Sequence, residues 1–187
     1  MVIISWLFVY QLYDLALATI WNAPLSKIAS RLNKEIVAFL NTFKSGNYYN
    51  KETRHITYKN FFEDKMLVIA AIRAGIPYSL FDIIQDYTPF SENDWADFLD
   101  ISTKSLQRYR TTAEHHFKPI HSEKIIEMAE VTKVGLDIFG NMEKLRLWLN
   151  TPNYALGNLK PTELLKDSYG KELVISELTR INYGILI

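Results

Sequence analysis

Along His121 to Phe139, the residues Ile125, Met128, Ala129, Thr132, Leu136 and Phe139 fall three or four positions apart, the spacing that lines one face of an α-helix. Leu25, Ile28, Leu32, Ile36, Phe39, Leu40 and Phe43 repeat it, and no stretch sustains the two-residue alternation of a half-buried strand. A chain patterned this way buries its apolar side chains by packing helix on helix, so the expected fold class is all-α. The punctuation agrees. Pro24 suits the first turn of a helix that Ser45-Gly46-Asn47 stops. Met66 to Ala74 reads as a buried helix closed by Gly75 and Pro77, and Tyr78 to Ile84 as another ended by Thr88-Pro89. Ser91 is placed to cap a helix whose first turn carries Glu92 and Asp94. Gly140 ends the long helix, Asn141 caps Met142 to Leu149, and Asn150-Thr151-Pro152-Asn153 makes a turn. Asp167 or Ser168 caps a last helix through Ile181, while polar, tyrosine-rich Tyr48 to Tyr58 reads as a linker.

Charge narrows what such a bundle could bind. The 21 basic and 21 acidic side chains cancel, so there is no global pull toward nucleic acid or anionic lipid. The charges are nevertheless blocked: residues 22–75 carry nine Lys/Arg against four acids, 76–100 six acids and no base, and 101–124 five bases against two acids. The last block also holds His115, His116 and His121. Absence of cysteine removes disulfides, thiolate metal sites and cysteine nucleophiles together, and a cytoplasmic setting is expected.

Val2 to Ile20 is apolar and long enough to span a bilayer. Gln11 and Asp14 near its middle oppose insertion, since a central Asp costs about 2.5–3.5 kcal/mol. No basic residue precedes Lys27, as a secretory signal would require, although Ala16-Leu17-Ala18 has the form of a cleavage site. The expectation is therefore no membrane. Residues 1–24 read as a core- or partner-facing helix, or as translation from a start codon placed too far upstream.

Trp95 to Arg110 has the layout of a helix-turn-helix. Ala96 sits where two helices would cross, Asp100 where the turn needs a residue tolerating positive φ, and Ile101 and Leu106 where core plugs belong. Ser102 would cap the second helix, whose exposed half would present Thr103, Lys104, Ser105, Gln107 and Arg108. Arg and Gln are bidentate readers of guanine and adenine. A helical hairpin with a merely solvated polar face fits the same stretch, and the stretch alone does not choose. The acidic block upstream counts against DNA unless its helix faces away from the phosphates; Lys104, Arg108, Arg110, Lys118 and Lys124 count for it.

Other chemistries find no footing. The spacings of His115, His116 and His121 place no two imidazoles one helical turn apart, so no metal site is expected. His55 stands alone. There is no Gly-x-Ser-x-Gly elbow, the seven glycines are scattered, and Glu63-Asp64 point in different directions on a helix. Trp148 reads as packing. No catalytic residue and no cofactor is expected from these patterns.

The distal segment carries an ordered series: Phe139-Gly140, Leu147-Trp148-Leu149, Pro152 to Gly157, Lys160-Pro161-Thr162-Glu163-Leu164-Leu165, Tyr169-Gly170, and Leu178 to Gly184. The series resembles the toxin-binding domain of the Xre/MbcA/ParS family of type II antitoxins. Ile76 to Phe81 with Ser102 to Arg110 resembles the family's Xre-type helix-turn-helix. The resemblance covers roughly 61–187 and implies three parts: residues 1–60 as an N-terminal helical segment and linker, 61–120 as the helix-turn-helix domain, and 121–187 as a small helical toxin-binding domain. It further implies an antitoxin, not itself an enzyme, that neutralises a RES-domain, NAD-degrading toxin and represses its own operon by binding operator DNA; two recognition helices reading an inverted repeat would make it a homodimer. By resemblance, Ser102, Thr103, Lys104, Ser105, Gln107, Arg108 and Arg110 belong to the DNA-binding helix. Asn153, Tyr154, Leu156, Lys160, Pro161, Tyr169, Gly170, Tyr183 and Gly184 belong to the toxin-binding module, together with the tail Ile185-Leu186-Ile187. That apolar tail either folds back on the core or enters a partner's cleft. Two other classes stay open: a helix-turn-helix regulator without a toxin partner, and a regulator anchored by residues 2–20.

Overall fold

The fold, described from a computed structural model over residues 27–42, 56–112 and 114–185, is built around one long helix. The apolar segment 2–20, the stop at Gly46, the stretch 48–55 with His55, and the tail residues Leu186 and Ile187 lie outside the described residues. In chain order the helices are α1 (described over 27–42), α2 (Tyr58–Phe61), α3 (Lys65–Ala74), α4 (Tyr78–Tyr87) and α5 (Glu92–Phe98). They continue with α6 (Thr103–Thr111), α7 (Pro119–Phe139), α8 (Met142–Leu149), a 3₁₀ turn (Tyr154–Leu156), α9 (Pro161–Leu164) and α10 (Ser168–Asn182). The described residues are all-α, with only isolated bridges Pro77–His116 and Asn153–Leu159 outside the helices. No helix among them is long and apolar enough to cross a membrane.

The expected caps form. Ser91 and Asp94 make a reciprocal capping box, the Ser91 Oγ accepting from the Asp94 N–H at 3.2 Å and the carboxylate from the Ser91 N–H at 2.8 Å. Gly140 ends α7 at φ 64°, a left-handed conformation natural to glycine, and the Asn141 Oδ1 accepts from the Glu143 N–H at 2.7 Å. Asp167 stands at the N-cap of α10, but its side chain makes no capping bond.

α7 is the spine. Ile125, Met128, Ala129 and Thr132 are buried on it, Leu136 and Phe139 are half-buried, and α3 and α10 pack along its length. Glu130 fastens both neighbours, its carboxylate receiving Lys65 of α3 at 3.1 Å and Lys171 of α10 at 2.8 Å. Burial alone would push this carboxyl up. The hydrogen bond and charge of Lys171, then those of Lys65, hold it below the ordinary range.

Two expectations are corrected. Tyr58 is no linker residue: it opens α2, its ring is buried, its N–H donates to Asn33 Oδ1 at 2.7 Å, and its hydroxyl donates to the Ala129 carbonyl at 2.9 Å. Burial pushes that phenol's pKa well up. Likewise α3 is not buried all round. Leu67, Val68 and Ala71 face the core while Met66 and Ile69 face outward, because α7 covers only one side of it.

Because its pKa is depressed on folding, Glu130 contributes stability above the unfolded carboxylate pKa, lost as pH falls through the folded value. Glu130→Gln should therefore cost about 1 kcal/mol at pH 7, within the range of a partly exposed ion-pair network. The difference from the parent should vanish in acid. Urea unfolding across pH checks it, and a pH-independent difference would show that the charge is not what matters.

Candidate functional site

Two surfaces emerge from the two ends of this fold. The first is α5–turn–α6. Trp95 is fully buried at its centre, edge-on to Phe81 at 5.1 Å, Phe90 at 6.0 Å and Phe98 at 6.1 Å. Ala96 is buried at the crossing, and its carbonyl accepts from the Ile101 N–H at 3.0 Å. Asp100 takes φ 50°, the positive value the turn requires. Ser102 caps α6, its Oγ accepting from the Ser105 N–H at 3.1 Å, and the two hydroxyls lie 2.9 Å apart. Leu106 is the one fully buried side chain of α6, with Tyr109 half-buried behind it. Ser102, Lys104, Gln107 and Arg108 are exposed; Thr103 and Ser105 are half-buried.

Arg110 sits differently from its neighbours. Its Nε donates to the Tyr78 hydroxyl at 3.2 Å, and its guanidinium lies 3.6 Å from Asp82 on α4. Lys104 and Arg108 have no carboxylate partner among the described residues; Arg108 lies over the Tyr109 ring at 5.7 Å. Three of the six acids that weighed against DNA are spent internally, Asp82 on Arg110, Asp94 in the capping box and Asp97 on Lys166 at 2.8 Å.

Behind α6 runs a strap, residues 114–118, that sequence reading overlooked. The Phe117 N–H donates to the Ile76 carbonyl at 2.9 Å and the Tyr78 N–H to the His115 carbonyl at 2.8 Å. Buried Ser122 stitches it to α7, accepting from the Ile76 N–H and donating to the Phe117 carbonyl. The His115 ring stacks on Tyr109 at 3.8 Å, and burial, then the neighbouring His116, His121 and Arg108 charges, push its pKa down. The aromatic spacing of Tyr109, His115 and Phe117 was the available signal.

The second surface belongs to the 3₁₀ turn, α9 and α10. Here the residues picked from sequence divide into two groups. Leu156, Pro161 and Gly170 are buried and shape the backbone. Asn153 frames a tight loop, its Oδ1 accepting from the Ala155 N–H at 2.8 Å and its N–H donating to Leu159 at 3.0 Å. At Lys160 the backbone N–H donates to Glu163 at 3.1 Å. Gly184, at φ 69°, turns the chain so that the Ile185 N–H closes on the Arg180 carbonyl at 3.0 Å.

The outward group is aromatic and aliphatic: Tyr169 is 84% exposed, Tyr154 76%, Tyr183 74% and Ile185 52%. Sequence reading missed Leu173, 55% exposed, one turn beyond Tyr169 on the same face of α10. On the opposite face Val174 and Leu178 are buried and Ile181 is half-buried. Between the two surfaces, a cleft of about 370 Å³ separates the turn at Asp100 from the α9–α10 corner, with Lys124 and Lys166 in its lining. The Lys124 Nζ pairs with Glu127 at 2.6 Å and donates to the Leu165 carbonyl at 3.3 Å, tying that corner to α7.

Comparison with known proteins follows this division. Residues 67–130 match the antitoxin Xre-like helix-turn-helix domain, and residues 135–184 match the antitoxin Xre/MbcA/ParS C-terminal toxin-binding domain. An Antitoxin Xre of Photorhabdus laumondii subsp. laumondii is 27% identical over 118 residues, 63% of this chain and 79% of the relative. The structure of the M. tuberculosis MbcT–MbcA toxin–antitoxin complex aligns with a TM-score of 0.45 at 18% identity, covering 57% of this chain and 94% of that one.

Gly170 permits a close crossing: a Cβ there would overlap the Leu164 carbonyl, which is backbone and cannot rotate away. Gly170→Ala should destabilise the α9–α10 corner by about 2–3 kcal/mol, the range of overpacking. Thermal unfolding and amide exchange around residues 161–174 check it; parental stability would mean the helices separate freely.

Proposed function

As a member of the Xre/MbcA/ParS antitoxin family, the chain is an antitoxin of a toxin–antitoxin system, and we propose that its partner is a RES-domain toxin that degrades NAD. The observation that carries this reading is the outward stripe of α10 and its C-cap, where Tyr169, Leu173 and Tyr183 stand uncovered within the matched toxin-binding domain. Large apolar side chains grouped on one helix face suit a helix-in-groove interface, with phenols giving both contact area and hydrogen bonds. Asn153, Tyr154 and Lys160 would extend the contact from the 3₁₀ turn. Leu156, Pro161, Gly170 and Gly184 would act by setting the backbone that presents it.

Neutralisation then follows by occlusion. The stripe would dock α10 against the toxin and deliver Ile185, Leu186 and Ile187 to its active site. There the apolar tail would occupy space meant for a dinucleotide. The exposure of Ile185 favours this over a tail folded back on the core.

At the other end, Ser102, Thr103, Lys104, Ser105, Gln107 and Arg108 would face operator DNA in the major groove. Two copies in a cytoplasmic homodimer would read an inverted repeat and repress the operon. The division proposed is an N-terminal segment 1–60, a DNA-binding part 61–120 and a toxin-binding part 121–187.

Co-expression with the RES-domain protein encoded beside the gene should restore growth and yield a stable complex; toxicity without a complex overturns the toxin assignment. Deleting Ile185 to Ile187 should preserve the helical circular dichroism spectrum while weakening neutralisation, and full protection by the truncated chain would eliminate occlusion by the tail. Arg108→Ala should weaken binding to the upstream DNA and flatten the dependence of log K on log salt by about one, a lost phosphate contact, or relax specificity at one base. Toxin binding should survive. Loss of both activities would instead make Arg108 structural.

A further inference from the structure

α6 is nine residues long and has a single fully buried side chain, Leu106. Tyr109, half-buried and stacked on His115 at 3.8 Å, backs the far end of the helix from the strap side, and setting its angle takes a further anchor from the α4 side. Arg110 supplies one. Its Nε–Tyr78 bond and its ion pair with Asp82 join the last turn of α6 to the first turns of α4. Tyr78 is itself immobile: its ring is buried against Phe81 and Phe117, and its N–H is held by the His115 carbonyl. Asp82 neutralises the guanidinium from the α4 side, in contrast to Arg108 two positions earlier, which has no carboxylate partner among the described residues.

We propose that Arg110 is a positioning residue rather than a DNA ligand: with Tyr78 and Asp82 it braces the far end of α6 and sets the angle at which the first half of that helix meets DNA. The proposal rests on α6 being the DNA-facing helix, and it gives Arg110 a different role from Lys104 and Arg108. Charge alone and bracing predict opposite signs for the acid. If Arg110 simply touched phosphate, removing the competing Asp82 would free it and tighten binding. If Arg110 braces the helix, removing Asp82 loosens α6 and weakens binding.

The test titrates duplex DNA from upstream of the gene with full-length Arg110→Ala, Asp82→Ala, Tyr78→Phe and the parent, by fluorescence anisotropy at several salt concentrations. All three variants should bind about tenfold more weakly, the scale of one lost charge-assisted hydrogen bond. Their salt slopes should equal the parent's, because no phosphate contact is lost. Amide exchange at the last turn of α6 should quicken in the same three. A slope reduced by about one in Arg110→Ala, with Asp82→Ala binding more tightly, would make Arg110 a phosphate contact and overturn the proposal. Unchanged exchange in α6 would overturn it too. Should the parent fail to bind this DNA, the reading of α6 as DNA-facing falls, while the exchange data still decide whether the brace exists.

Discussion

Glu130 of α7 receives a lysine from each of two helices, and so ties both surfaces to one spine whose buried face holds them together. Lys65 brings α3, and with it the helices leading to α5–α6; Lys171 brings the first turn of α10, two residues beyond Tyr169. A half-buried carboxylate with one lysine would be a weak contact; with two it becomes a small network, one carboxylate shared by two ammonium groups. Around it the buried face of α7 supplies the non-directional part of the stability, and the ion pairs supply the register. Ser122 and Lys124 do similar work nearer the start of α7, one holding the strap behind α6, the other the corner before α10.

Local charge, rather than the overall balance, explains how a neutral chain can offer a surface to DNA. The acidic run before the turn would repel phosphate if its carboxylates were free. Of its six, Asp82, Asp94 and Asp97 each have an internal partner, and two of those partners are basic. The cost is that Arg110 and Lys166 are committed as well. What is left uncommitted on α6 is the exposed pair Lys104 and Arg108, flanked by the short polar side chains of its first turn.

Much of this was legible in the sequence, for reasons that differ by element. The periodicity of His121 to Phe139 located α7, because a long helix repeats its signal often enough to be unmistakable. Asp100 was recognisable as the turn because few residues other than glycine accept positive φ. Local capping chemistry placed Ser91, Ser102 and Asn141 correctly because the capping oxygen and the N–H it accepts from are only two or three residues apart. Features joining distant residues were not legible. Nothing near Tyr58 says that its hydroxyl will meet Ala129, and nothing near Glu130 announces two lysines from separate helices. The outward position of Leu173 escaped notice too, since an apolar residue in an amphipathic helix is ordinarily assigned to the core. The motif residues of the C-terminal region looked alike as letters, yet Gly170 is required by a steric crossing and Tyr169 beside it by nothing within the fold.

The two matched stretches meet inside α7, with no break in the helix between Pro119 and Phe139. A rigid rod of roughly 30 Å therefore does the job usually given to a tether. Along such a rod, adding or removing one residue would turn everything beyond it by about 100° and shift it by about 1.5 Å. The phase of α7 thus acts as a unit, and its length could change only by about whole turns if the two faces are to keep the same compass bearings.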